Sequence, residues 1–250
     1  MIAVRSFLLS CAMLVSGVAS AQWYPVPRGP KNMEVGYSYC IASADFKYRA
    51  NSFNENTGIL TDTGFTNHIT STSGFGGLVG YYWPVAKLGL KSRLAIDLSY
   101  MYNAYLWDGN TFSYSANSQT GTESVGSGTV EMGLPIGAEY KYGCDALFDK
   151  SERLCYSFGA GVYPSMDATV YRGDGGFSFH ARPYVKAEAG FFAGICFKLR
   201  LTYVMGDIDY ISYGHDNPGN IEHTSFTAKG TTMLSLVLMP MSWKFGRSEW

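Results

Sequence analysis

The sequence predicts an all-β fold: an eight-stranded antiparallel transmembrane β-barrel, up-and-down, with short periplasmic turns and long extracellular loops. Three observations predict it. Long segments alternate apolar and polar residues with a period of two. Past the N-terminal region no stretch approaches the roughly 18 consecutive apolar residues of a membrane helix. The connections alternate between long and short. A membrane protein without apolar helices must close its strands into a barrel, because lipid offers no partner to an unpaired backbone amide.

The N-terminus stands apart. Arg5 precedes a mostly apolar run over 7–18, and Ala19-Ser20-Ala21 places small residues where a signal peptidase cuts. Residues 1–21 are expected to be a cleaved signal peptide, and 22–250 the barrel domain. The chain has 19 Lys+Arg and 20 Asp+Glu. Without Arg5 the balance is −2, so no basic surface for nucleic acid is expected. Charged residues make up 16% and aromatics 16%, with 19 Tyr and 29 Gly. That is poor in charge and rich in Tyr and Gly for a soluble globule.

The strands follow in order. Residues 35–48 carry Val35, Tyr37, Tyr39 and Ile41 on one parity. Residues 75–83 carry Val79 and Tyr81 outward, with Gly74, Gly76 and Gly80 inward. In the third strand Leu94, Ile96, Leu98, Tyr100, Tyr102, Ala104 and Leu106 form an unbroken apolar parity. In the fourth, Val130, Met132, Leu134, Ile136, Ala138, Tyr140 and Tyr142 do the same. Residues 154–166, 177–191 and 197–205 supply three more. The last runs over 232–245 with its register divided: Leu234, Leu236 and Leu238 share one parity, and Met239, Met241, Trp243 and Phe245 the other. A bulge near Pro240 is expected to reconcile them. Long polar connections at 49–73, 108–128, 167–176 and 206–230 are expected outside the cell. Short ones at 84–91, 143–153 and 193–196 are expected in the periplasm.

The opposite parity collects charge. Asp97, Glu131, Glu139, Lys186, Glu188 and Arg200 point inward, with Arg93, Lys141, Arg182 and Lys198. Eight strands enclose a space about as wide as the side chains that fill it. Isolated charges there would be costly, so a salt-bridged lumen network is expected. Four cysteines fall in the barrel domain: Cys40, Cys144, Cys155 and Cys196. Cys144 and Cys155 bracket one short connection and are expected to form a disulfide; Cys40 and Cys196 are assigned no partner from sequence. No metal site is expected, since paired Cys-x-x-Cys spacing and nearby histidines are lacking. Ser178 and His180 share the inward parity, but spacing of two along a strand does not bring a base onto a nucleophile. No catalytic residue and no cofactor is expected.

The signal segment, the eight alternating strands, the glycine-rich strand at 74–83 and the aromatic-ended last strand resemble the small OmpA/OmpX-like bacterial outer-membrane β-barrel family. The resemblance implies an exported outer-membrane protein in contact with outer-membrane lipid and lipopolysaccharide. It also implies a C-terminal aromatic signal for the barrel-assembly machinery. Phe245 fits that role better than Trp250, because 246–249 are polar. The function expected is non-enzymatic: a barrel anchoring surface loops for envelope stability or contact with an extracellular partner. A narrow channel for small solutes is the alternative, and a lipid-modifying enzyme a distant third.

Overall fold

The computed structural model describes residues 22–23, 30–54, 59–107, 112–116, 119–123, 127–148, 151–171, 174–217 and 220–244. The signal segment and Phe245 lie outside them.

Eight strands form the barrel. They are β1 (Met33–Asn54), β2 (Ile59–Lys87), β3 (Ser92–Trp107), β4 in two pieces (Ser127–Gly133 and Ile136–Gly143), β5 (Leu154–Tyr171), β6 (Asp174–Ala193), β7 in two pieces (Ile195–Val204 and Ile208–Asn217) and β8 (Asn220–Met239). Each pairs antiparallel with the next, and β8 closes on β1 from Leu238↔Val35 to Asn220↔Ser52. The break in β4 falls at Pro135, which has no N–H for the ladder. Its carbonyl still accepts from Ser99 N at 3.1 Å, and Leu134 N donates to Pro164 O at 2.8 Å. The sheet therefore stays closed across the gap.

The exterior parity holds as expected. Tyr37, Val79, Leu98, Ile136, Phe158 and Leu199 are exposed, although apolar, because they face lipid rather than core. Near the short turns, aromatic pairs ring the barrel. Tyr142 stacks on Tyr156 at 4.7 Å, Phe191 on Phe197 at 5.5 Å, and Tyr81 lies 4.8 Å from Trp83. Such rings sit at the membrane–water interface. At the same end β6 passes to β7 through Gly194 alone, whose φ of 84° suits the tight turn and would strain a side-chain-bearing residue.

Two expectations are corrected. Most of the long connections are ladder, not loop. β1 has 22 residues and β2 has 29, against roughly 9–11 needed to cross a bilayer. Strand pairing continues to Asn54↔Ile59, and in the last connection to Asn217↔Asn220. Phe112–Ala116 and Gln119–Glu123 form a separate hairpin. Polar strands in water keep their backbone bonds while losing the apolar parity that reveals them in sequence. The last strand also ends at Met239 without a bulge at Pro240. Residues Ser242–Lys244 form a 3-10 turn, and the irregularity in β8 lies instead between Ala228 and Thr231. Met241 and Trp243 thus belong to no strand, which is why their parity conflicted.

Candidate functional site

The lumen is filled by four layers of side chains. From the periplasmic end these are a thiol floor, a network of charges, a layer built on Glu131, and an aromatic stopper.

Strand parity places the charges. Neighbouring strands pair Glu188 with both Ser157 and Arg200, and Ser157 in turn with Lys141, while Glu139 and Lys186 both pair with Gly159 in the adjacent inward row. Arg200 Nε donates to Glu188 Oε1 at 2.5 Å, and its Nη2 donates to Glu34. Lys198 Nζ lies 2.6 Å from Glu34, 2.9 Å from Asp145 and 3.3 Å from Glu188. Lys186 Nζ is 2.9 Å from Asp97 and 3.2 Å from Glu139. Lys141 bridges Glu139 at 3.1 Å and Asp145 at 3.3 Å, and sits 4.0 Å over the Tyr82 ring. Ser157 Oγ contacts Glu139 at 2.5 Å and Glu188 at 2.9 Å. All these charged groups are buried. Each charge is shared among several of opposite sign, which offsets the desolvation cost that one buried pair meets alone.

Glu131 belongs elsewhere. It was expected in the same network, but it stands in the next layer with Arg182, whose Nη2 donates to Oε2 at 2.9 Å. Its other oxygen accepts from Tyr163 OH at 2.6 Å, Asn103 Nδ2 at 3.0 Å and Tyr105 OH at 3.3 Å. Asn103 also accepts from the Cys40 thiol at 3.4 Å. The height of a residue along its strand, not its parity, separates the two layers. Gly76 leaves the space that Asn103 occupies, since a Cβ there would lie 2.2 Å from Asn103 Oδ1.

Above Glu131 the lumen turns apolar. Phe46, Ile69, Trp107, Ile208, Tyr210 and Phe226 are buried together. Trp107 meets Phe226 edge-on at 5.2 Å, and its Nε1 donates to Thr129 Oγ1 at 2.9 Å. Outside this stopper the wall is polar. Asp45 pairs with His68 at 2.8 Å and with Lys229 at 3.4 Å, and Lys229 reaches Asp207 at 2.8 Å.

The floor differs from the sequence expectation. Cys144 and Cys155 do not form a disulfide; the four cysteines among the described residues are free thiols. Cys196, given no partner from sequence, lies 3.9 Å from Cys144 and 3.8 Å from Cys155, sulfur to sulfur. Cys144 opens a four-residue helix, α1 (Cys144–Leu147), which folds back under the barrel. The hydrogen bond it gives Cys155 is the main influence that pushes the Cys144 thiol up to about 12. Tyr82, Ala95 and Met239 complete this buried cluster, with Phe148 and Phe192 packed against it.

Of the residues predicted for the network, Asp97, Glu139, Lys186, Glu188 and Arg200 meet. Glu34 and Asp145 were missed. Glu34 shares the inward parity of Gly36 and Ser38, so its signal was present at the very start of the first strand. Asp145 lies in a turn, where no parity exists to find it. Ser178 Oγ and His180 Nε2 have no hydrogen-bond partner, so the two do not form a nucleophile–base pair.

Architecture and site define the class: a closed eight-stranded transmembrane β-barrel with an apolar exterior and a polar, side-chain-filled interior, the construction of bacterial outer-membrane proteins. No family model and no curated protein matches the chain. Its structural neighbours are bacterial outer-membrane barrels. The outer membrane protein OprG from Pseudomonas aeruginosa matches with 10% identity, 82% of this chain, 94% of that one and a TM-score of 0.42. The outer membrane protease OmpT from Escherichia coli matches with 13% identity, 88% and 99% coverage and a TM-score of 0.35. The attachment invasion locus protein Ail of Yersinia pestis matches with 9% identity, 80% and 97% coverage and a TM-score of 0.27.

Proposed function

We propose that the protein is a non-enzymatic integral barrel of the bacterial outer membrane. In this reading it conducts no solute and serves as a rigid mount for strand-built surface ridges that stabilise the envelope or contact an extracellular partner. The observation that supports this most is the filled lumen: thiols, charges, the Glu131 layer and the aromatic stopper follow one another along the axis. An eight-stranded ring has space for side chains and little else. The extended ladders above the apolar band hold exposed groups in fixed positions, as a contact surface requires. Lipid and lipopolysaccharide are the proposed surroundings of the wall, and the barrel-assembly machinery the proposed partner during insertion.

Purified protein in planar bilayers is expected to show no steady conductance. Removing two stopper rings in a Trp107→Ala, Phe226→Ala variant should leave brief openings at most, because the charged layer still closes the lumen below. A stable open channel in the unmodified protein would replace this reading with the narrow-pore alternative.

A further inference from the structure

We propose that Cys144, Cys155 and Cys196 form a binding site for one soft, thiophilic metal ion, with Cu(I) the preferred occupant. Three residues far apart in sequence bring their sulfurs within 4.8 Å of one another, and all three are buried. The two resolved separations, 3.8 and 3.9 Å, match the edge of a thiolate set around one ion. A metal–sulfur bond of about 2.3 Å gives sulfur–sulfur edges of about 3.8–4.0 Å in tetrahedral or trigonal geometry.

The fold makes specific room for this meeting. Cys155 lies on β5 and Cys196 on β7, with β6 between them. Gly190 of β6 is the ladder partner of Cys155. A Cβ on Gly190 would stand 2.4 Å from the Phe197 carbonyl oxygen, 2.8 Å from Lys198 Cγ and 3.0 Å from the Cys155 sulfur, so glycine leaves the gap into which that sulfur leans toward β7. Cys196 is pinned from the other side, its backbone N donating to Ser242 Oγ at 2.6 Å. Cys144 arrives from below on α1, one residue past Gly143, the ladder partner of Cys155.

The number of sulfurs favours an ion over a disulfide. A disulfide would consume two and leave the third against it. One ion uses all three equivalently. The ligand type favours Cu(I): all three donors are sulfur, and Met239, the ladder partner of Cys196, adds a thioether to the same cluster. Thiolate and thioether donors select soft ions, whereas structural zinc sites close with four strong ligands. Binding forms three S–Cu bonds and releases the thiol protons, with no change of oxidation state, so the ion must arrive as Cu(I).

The test uses the full barrel, folded in detergent, reduced and offered Cu(I) held by a chromophoric chelator. After desalting, about one copper per chain should remain. Cys144→Ser, Cys155→Ser and Cys196→Ser should each bring retention to background. Cys40→Ser should retain it, because Cys40 lies in the Glu131 layer. Gel mobility before and after heating restricts the comparison to folded protein. A Gly190→Ala variant, which keeps all three thiols, should bind more weakly. Copper retention equal in the wild type and the three floor variants would overturn the site. Retention of zinc in place of copper, when both ions are offered together, would overturn the Cu(I) preference. A disulfide among the three in membrane-extracted, alkylated protein would overturn the proposal as a whole.

Discussion

The barrel in its apolar band and the barrel above it are built on the same strands with opposite polarity. In the band, β1 shows Val35, Tyr37, Tyr39 and Ile41 to lipid and Glu34 and Ser38 to the lumen. Further along the same strand the inward residues become Ala42, Ala44 and Phe46, while Asp45 faces outward to His68 and Lys229. Along β1 no parity change occurs, only the residue types swap, whereas β2 and β8 shift parity at their irregularities. Each face matches the medium it meets. Lipid admits apolar groups outside, which leaves polar groups to fill the lumen. Water above admits polar groups outside, so the lumen closes there by ordinary hydrophobic burial. One strand thus passes from inverted to conventional polarity within a few residues, and the Glu131 layer sits at the crossing.

That crossing is where the largest effect is expected. Glu131→Leu removes the one acceptor shared by Arg182, Tyr163, Asn103 and Tyr105. It should cost about 3–5 kcal/mol in a folding titration into lipid vesicles, because the Arg182 charge is left buried. Adding Arg182→Leu should recover much of the loss. A single variant as stable as the wild type would show that water fills this layer.

The exterior contrast comes next. Leu98→Arg places a charge in lipid and should cost about 2–4 kcal/mol in the same titration. Thr70→Arg, outward on β2 above the band, should change stability by no more than about 0.5 kcal/mol. Equal costs at the two sites would erase the boundary drawn here.

The lower charge network should give way more gently than Glu131. Glu188 faces Arg200, Lys198, Lys141 and Lys186, and each of these has a second carboxylate. Glu188→Gln keeps a hydrogen-bonding side chain, so a loss of about 1–3 kcal/mol is expected. A larger loss than at Glu131 would show that sharing does not protect the network.

The smallest effect is expected at the periplasmic rim. Lys91 lies 2.5 Å from Glu152 in the open. Its hydrogen bond to Glu152 raises the Lys91 pKa, so the pair's contribution is full below the ordinary lysine pKa and fades only as pH rises through the raised one. Lys91→Ala should leave the unfolding midpoint unchanged at neutral pH, as exposed pairs contribute little.

The sequence by itself determined the wall. Period-two alternation fixed which residues of the third and fourth strands meet lipid, since parity is a local property that neighbours cannot reverse without breaking the ladder. It also determined that Asp97, Glu139, Lys186, Glu188 and Arg200 point inward. What it could not determine was height. Glu131 and Glu139 share a strand and a parity, yet they belong to different layers, because the register between strands sets which inward side chains face each other. The polar ladders above the band were hidden because their exterior carries no apolar rhythm. The thiol floor was hidden most of all. Cys144 and Cys155 are close in sequence and suggested a pair. Cys196 reaches them only because barrel closure curls β7 around to β5 and Gly190 leaves the gap between them. Local alternation is written in the chain; the meeting of distant inward residues is decided by closure.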